Sequence, residues 1–198
     1  MNRFFPLASV FLAFFALAAC QTPPPAQAFP DLTWTHLKPY VFNVAEIEIK
    51  SDFKPDFKAP HVEHLFPLAL DKAAMRWAED RLHAGGAPER GGRVVFTVNK
   101  AEAVEALLEK KKGVEGYFTD EESEQYNLSI EVSLEVLDER GYRSGYVVAG
   151  AKRSQSVLED ITLDEREKVW FEMTESLMQE LNSQLEANIK AYLGGFLL

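Results

Sequence analysis

Cysteine and positive charge are both scarce in this sequence. The 198 residues contain one cysteine, which excludes an intramolecular disulfide and a zinc site built from several thiolates. Lysine and arginine number 21 against 31 aspartate and glutamate, a formal net charge of −10, and Lys110-Lys111-Lys112 is the one basic cluster. Binding to nucleic-acid phosphates needs a positive footprint, so we expect no nucleic-acid partner.

The usual motifs of enzymes are also missing. No Gly-x-Ser-x-Gly nucleophile motif occurs, and the Gly85-Gly86 and Gly91-Gly92 pairs lack the spacing of a phosphate-binding loop. We therefore predict no catalytic residue and no cofactor, and we expect a protein that is not an enzyme. One alternative stays open, because two of the 31 acidic side chains could be brought together as a catalytic pair.

Two groups of potential metal ligands have unsuitable spacing. His61 and His64 are three residues apart rather than four, and Pro60 and Pro67 exclude a long helix that would turn both imidazoles toward one metal. The acidic run at 120–124 lacks the alternating ligands and the central glycine of a calcium loop. We therefore predict loop and surface positions for these side chains and no metal site.

The first twenty residues contain the three parts of an export signal. Arg3 supplies the positive charge, an uncharged apolar run extends from Phe4 to Ala19, and small residues end it. This run of about sixteen residues is short for a membrane-spanning helix, which needs ~20. We therefore predict a signal peptide over residues 1–19.

The end of this signal, Leu17-Ala18-Ala19-Cys20, resembles the lipobox of bacterial lipoproteins. The resemblance implies cleavage before Cys20, a diacylglycerol on its thiol and an acyl chain such as palmitate on its new amine. In that class, a residue other than aspartate after the cysteine, here Gln21, implies transport to the outer membrane. More than one acyl chain gives stable anchoring, so we expect a lipid-anchored protein on the periplasmic face of the outer membrane.

Proline marks the segment between the cysteine and the folded part. Pro23-Pro24-Pro25 and Pro30 stand among small and polar residues, a composition typical of an extended, semi-rigid spacer. We assign residues 20–38 to the lipidated cysteine and its tether, and residues 39–198 to a single periplasmic domain. With 46% hydrophobic residues in the chain, this domain can bury a core of its own.

Alternating apolar and polar residues predict the strands. One strand is expected over 41–53, with Val41, Asn43, Ala45, Ile47 and Ile49 on one face, and a second over 93–99. Residues 100–108 fit either a helix or a continuation of that strand. The clearest pattern predicts an antiparallel hairpin over 126–137 and 142–154.

Apolar residues three or four apart predict two helices. The first runs from Leu70 to about His83 and stops at Gly85-Gly86, and the second is long, from a capping box at Thr162 and Glu165 to Gly194-Gly195. Trp77 and Trp170 lie on their apolar faces and are expected in the core. The order of elements predicts an α+β fold, a two-layer sandwich whose mostly antiparallel sheet is covered on one face by two helices.

Two apolar groups are candidates for partner binding. Phe53, Phe57 and Phe66 lie in a proline-rich segment that could line a groove, since aromatic side chains concentrate at binding surfaces. The last three residues, Phe196, Leu197 and Leu198, either project toward a partner or fold back on the core.

The plan of lipobox, tether, strand, helix, hairpin and long final helix is similar to that of small envelope lipoproteins. These include the auxiliary lipoproteins of ABC-type lipid transporters, the lipopolysaccharide-assembly lipoprotein and a further family of small Gram-negative lipoproteins. The turn at 138–141 and the helix opening at 164–167 carry the resemblance, beside Cys20. It implies a non-catalytic accessory protein that binds a protein partner or lipid in envelope transport or assembly. A hydrolase with a carboxylate pair and a purely structural lipoprotein are the alternatives.

Overall fold

The computed structural model describes residues 28–87, 91–108, 122–158 and 160–198, which form six strands and two helices. The strands are β1 (Tyr40–Phe42), β2 (Glu46–Ser51), β3 (Leu82–Ala84), β4 (Arg93–Leu107), β5 (Glu122–Leu137) and β6 (Arg143–Leu158). The helices are α1 (Leu70–Arg81) and α2 (Leu163–Asn188), and short helical turns cover Glu63–Leu65, Ile189–Leu193 and Gly194–Phe196.

Four strands form one sheet in the order β2-β4-β5-β6, in which the β2–β4 pair is parallel and the other pairs are antiparallel. β1 and β3 form a separate parallel pair. Both helices pack on one face of the large sheet, where Trp77 of α1 meets Phe96 and Trp170 of α2 meets Tyr126. This confirms the predicted α+β class. No helix of the described ranges combines the length and apolar composition needed to cross a bilayer.

The hairpin forms as predicted, and β4 is longer than the strand expected over 93–99. Residues 100–107 continue β4 because β5 offers them a full ladder of hydrogen-bonding partners, which outweighs the helix propensity of alanine and glutamate. The ladder shifts register between Val98 and Lys100. This bulge keeps Ala101 and Ala103 on the buried face, in line with Val98.

The single strand predicted over 41–53 is wrong. β1 pairs with β3, whereas β2 pairs with β4, so the chain changes sheets between them. The buried face changes parity at the same point, since Phe42 and Val44 are buried while Ile47 and Ile49 are the residues of β2 that pack on the core. The residues from 43 to 45 form this crossing, where the Ala45 N–H donates to the Gly92 carbonyl at 3.1 Å.

α1 ends at Arg81, two residues before the predicted end, because Leu82–Ala84 becomes β3 and pairs with β1. Gly85 and Gly86 then serve close packing rather than a helix stop. A Cβ atom at Gly86 would lie 2.8 Å from the backbone nitrogen of Val44. Only a residue without a side chain lets these two segments approach so closely.

α2 begins with the predicted capping box. The Thr162 Oγ1 accepts from the Glu165 N–H at 3.3 Å, and the Glu165 carboxylate accepts from the Thr162 N–H at 3.0 Å. The Thr162 hydroxyl also donates to the Glu165 carboxylate at 2.7 Å, and this bond together with the one from the Thr162 N–H holds the pKa of Glu165 below its usual value. The α-helical part ends at Asn188, and a π-helical turn carries the chain on to the predicted end at Gly194.

The last three residues fold back on the domain. The Phe196 carbonyl accepts from the Asn43 N–H at 2.8 Å, and the Leu198 N–H donates to the Val41 carbonyl at 2.9 Å.

Packing also begins before the expected domain boundary at residue 39. Trp34 is buried in the core, and Phe29 stacks on Phe171 of α2.

Candidate functional site

A surface pocket with a volume of about 430 Å³ opens where the C-terminal tail folds back beside the end of α2. We call it the tail pocket. One wall is apolar, and the other carries charged side chains from the ends of α1 and α2. Its lining residues are Leu37, Lys38, Pro39, Tyr40, Val41, Arg81, Glu186, Lys190, Leu197 and Leu198.

Arg81 is the buried charge of the tail pocket, with 2% of its surface exposed. Its Nη1 donates to the Lys38 carbonyl at 2.8 Å, and its Nη2 donates to Glu186 Oε1 at 2.6 Å. The guanidinium lies over the Tyr40 ring, 5.0 Å from its centroid. The Nε is buried and has no hydrogen-bond partner among the residues that the structure describes.

Glu186 is shared between two cations. It accepts from Arg81, and its other oxygen lies 3.4 Å from Lys190 Nζ, one helical turn further along α2. The pocket lining therefore contains three basic residues against one acid, in a chain whose overall charge is negative. An anionic group beside an apolar chain is the chemistry that such a lining accommodates.

The tail residues predicted as partner-binding candidates reach this site. Leu197 and Leu198 line the tail pocket, and Phe196 packs beside it against Gly145. Arg81 was not predicted as a site residue, because a basic residue in the last turn of a helix ordinarily points to solvent and complements the helix dipole. No pattern in the sequence marks its burial against Glu186, which lies 105 residues away.

The three phenylalanines of the proline-rich segment have different environments. Phe66 is buried and stacks on Trp170 with ring centroids 4.9 Å apart. Phe57 is exposed and contacts His64, and Phe53 is half-buried against the core. Trp77 and Trp170 occupy the predicted core positions.

The candidate metal ligands remain apart. His61 lies 3.7 Å from the buried Glu63 carboxylate, while His64 packs against Phe57. Within the described parts of the chain, no three histidine, cysteine or acidic side chains converge as metal ligands would. The acidic run at 120–121 and Cys20 lie outside the described residues.

Two carboxylates meet at the other end of the sheet, on β4 and β5. Burial raises the pKa of Glu105, and the charge of Glu124 raises it further, while Arg166 opposes both. Glu124 accepts from the Tyr126 hydroxyl at 2.7 Å and pairs with Arg166 at 3.1 Å. Burial and this hydrogen bond raise the pKa of Tyr126 far above its usual value. Glu124 is thus occupied by an internal network, which ties β5 to α2.

Comparison with known proteins adds two distant structural neighbours. No protein-family profile and no curated protein sequence matches the chain. A minor lipoprotein from Acinetobacter baumannii is 14% identical, with a TM-score of 0.40 over 77% of this chain and 94% of that one. The PelC dodecamer from Paraburkholderia phytofirmans is 12% identical, with a TM-score of 0.22 over 78% of this chain and 94% of that one. The contacts within this chain alone define its α+β fold.

Proposed function

We propose that this chain is a lipid-anchored accessory protein of the bacterial envelope, held on the periplasmic face of the outer membrane. The observation that carries the proposal is the run Leu17-Ala18-Ala19-Cys20 at the end of an export signal. The chain's one cysteine stands where lipoproteins are acylated. A proline-rich spacer then separates this cysteine from Phe29, the first residue in the described part of the chain that packs on the domain.

The tail pocket supports a binding role in envelope transport or assembly. Its ligand would be an amphipathic molecule with an anionic group, such as an envelope lipid or an acidic, apolar segment of a protein partner. The exposed ammonium of Lys190 would meet the anion, with the buried charge of Arg81 behind it, while Val41, Leu197 and Leu198 would meet the apolar part. The role is non-catalytic, because the pocket's one carboxylate is already paired with two cations and is a poor general base.

Replacing the cysteine tests the anchor. In Cys20→Ser we expect no incorporation of a palmitate analogue and release of the protein from the membrane fraction, because a hydroxyl cannot replace the thiol as the acceptor of the diacylglyceryl group. We expect the melting temperature of the domain to stay unchanged, since the packing that the structure describes begins at Phe29, nine positions after Cys20. Thr22→Ala, just outside the lipobox, is the control and keeps its label. A Cys20→Ser protein that stays in the membrane would overturn the proposal in favour of an uncleaved helix.

Charge reversal tests the tail pocket. Anilinonaphthalene sulfonate combines an apolar ring system with an anion, and its fluorescence reports binding. We expect Lys190→Glu to weaken its binding about thirtyfold, because reversing one charge at ~4 Å changes the Coulomb energy by ~2 kcal/mol even in water. The control is Lys168→Glu at the other end of α2, an equally exposed lysine that also pairs with a glutamate one turn away. Equal effects of the two variants would place the probe elsewhere.

A further inference from the structure

The path of the chain into the domain shows which end of the molecule lies nearest to the tether. Phe29 stacks on Phe171, with ring centroids 4.9 Å apart, two turns after α2 begins. Five residues later, the Trp34 N–H donates to Asp80 at 2.8 Å. Asp80 is next to Arg81, which reaches Glu186 near the end of α2. The chain therefore enters beside the start of α2 and runs toward its end.

Covalent geometry limits how far this entry point can be from an acylated Cys20. Phe29 lies nine positions after Cys20, and an extended chain of that length spans at most ~30 Å. The end of α2, where the tail pocket lies, is a further ~26 Å away along the helix axis. The anchor therefore keeps the start of α2 within ~30 Å of the lipid, whereas the tail pocket is the more distant of the two ends along the chain.

Exposed apolar side chains divide between the two ends of the described domain. At the start of α2, the exposed large residues are one phenylalanine and four leucines, which have no polar atom to offer water. We call this surface the leucine end, formed by Phe57, Leu65, Leu107, Leu158 and Leu163. The exposed large apolar residues toward the other end are mainly tyrosines, which keep a hydroxyl in water, and are Tyr142, Tyr146, Val148, Tyr192 and Leu198.

Three of the elements that carry the leucine end stop or start at one place. Leu107 is the last residue of β4, Leu158 is the last residue of β6 and Leu163 is the first residue of α2. The turn that carries Leu65 is held to β4 by a hydrogen bond from the Val62 N–H to the Ala103 carbonyl at 2.9 Å. The leucines therefore project from the same end of the sheet.

We propose that the leucine end rests on the lipid bilayer to which the protein is anchored, with the leucines inserted at the level of the headgroups. The proposal rests on the proposed lipid anchor and adds the orientation of the domain on it. Each leucine removed from water contributes up to about 1.5–3 kcal/mol. Because the tether raises the local concentration of lipid, such contacts can orient the domain without being strong enough to bind it alone.

Fluorescence quenching by lipid tests this orientation on the full, acylated protein. The diacylglyceryl group occupies the thiol of Cys20, so a cysteine introduced by Leu163→Cys or Tyr142→Cys is the one thiol free for a fluorophore. These positions lie at opposite ends and are similarly exposed, at 66% and 70%. Each labelled protein is inserted into phosphatidylcholine vesicles with and without headgroup spin-labelled lipid. We expect quenching several-fold stronger at position 163 than at position 142.

Three outcomes are distinguishable. Equal quenching at both positions, or stronger quenching at 142, overturns the orientation while leaving the anchor intact. A label at 163 that is already shielded from water before vesicles are added also overturns it, because protein then covers the leucine end. Failure of the unlabelled protein to acquire acyl chains or to enter vesicles contradicts the anchor itself, which is the proposed function.

The leucines themselves are tested by a second variant. In Leu158→Asp/Leu163→Asp, a fluorophore on Leu107→Cys should lose most of its quenching while the protein stays in the vesicle fraction. Both substituted side chains are exposed, so the melting temperature should stay near that of the parent. Unchanged quenching at position 107 would show that the leucines do not orient the domain.

Discussion

Val132→Asp is expected to abolish folding of the domain. Val132 is fully buried at the centre of β5, where it pairs with Val98 on β4 and Ala149 on β6. A carboxylate there has no cationic partner, and an unpaired buried charge costs about 3–5 kcal/mol or more. This approaches the whole stability of a typical domain, about 5–15 kcal/mol. Circular dichroism and thermal melting of the purified variant would measure the loss.

The matched control adds the same charge to the opposite face of the same strand. Asn127 is half-buried, and its Oδ1 accepts from the Ser154 hydroxyl at 2.7 Å. Asn127→Asp keeps this acceptor and should change the free energy of unfolding by no more than about 0.5 kcal/mol. If Val132→Asp melts like the parent, the assignment of this face of β5 to the core is wrong.

Arg81→Met is expected to lower the free energy of unfolding by about 2–3 kcal/mol. The substitution keeps an unbranched side chain but leaves the Lys38 carbonyl and one Glu186 oxygen without their donor. Glu186 keeps 28% of its side chain exposed, so water limits the loss to less than that of a fully buried pair. At about 2–4 °C per kcal/mol for a domain of this size, thermal melting should fall by roughly 5–10 °C.

Two further variants separate the buried pair from a general effect of charge. Arg76→Met removes an exposed arginine of the same helix, which pairs with Glu79 and Asp80, and should cost at most about 1 kcal/mol. Arg81→Met/Glu186→Leu removes both buried partners and should regain part of the loss, because no charge is left unpaired. If Arg81→Met is as stable as the parent, then Arg81 does not join α1 to α2.

The parts of the fold that could be predicted are those in which one element repeats its period over many residues. β5 alternates from Tyr126 to Val136, and α2 has an apolar residue every three or four positions from Trp170 to Ile189. In both, burial against a single neighbour determines the period, and the period is readable locally. The capping box at Thr162 is likewise a local arrangement of side chain and backbone.

The division between β1 and β2 could not be predicted for the opposite reason. Alternation in the sequence runs unbroken through residues 43–45, but the buried face changes there because β1 meets β3 and β2 meets β4. Those partners lie about 40 residues further along the chain, and only tertiary packing brings them together. The tail pocket could not be fully predicted for the same reason. Leu197 and Leu198 were recognisable as apolar candidates, whereas Arg81 became a site residue only by contact with Glu186.

The C-terminal tail completes the hydrogen bonding of β1. Val41 and Asn43 bond to residues about 150 positions later, among the last three of the sequence. Closing so long a loop is slow, and it requires that both ends be present at once. β1 therefore cannot complete its hydrogen bonds until residues 196–198 have been synthesised and have reached the same side of the membrane as Val41 and Asn43.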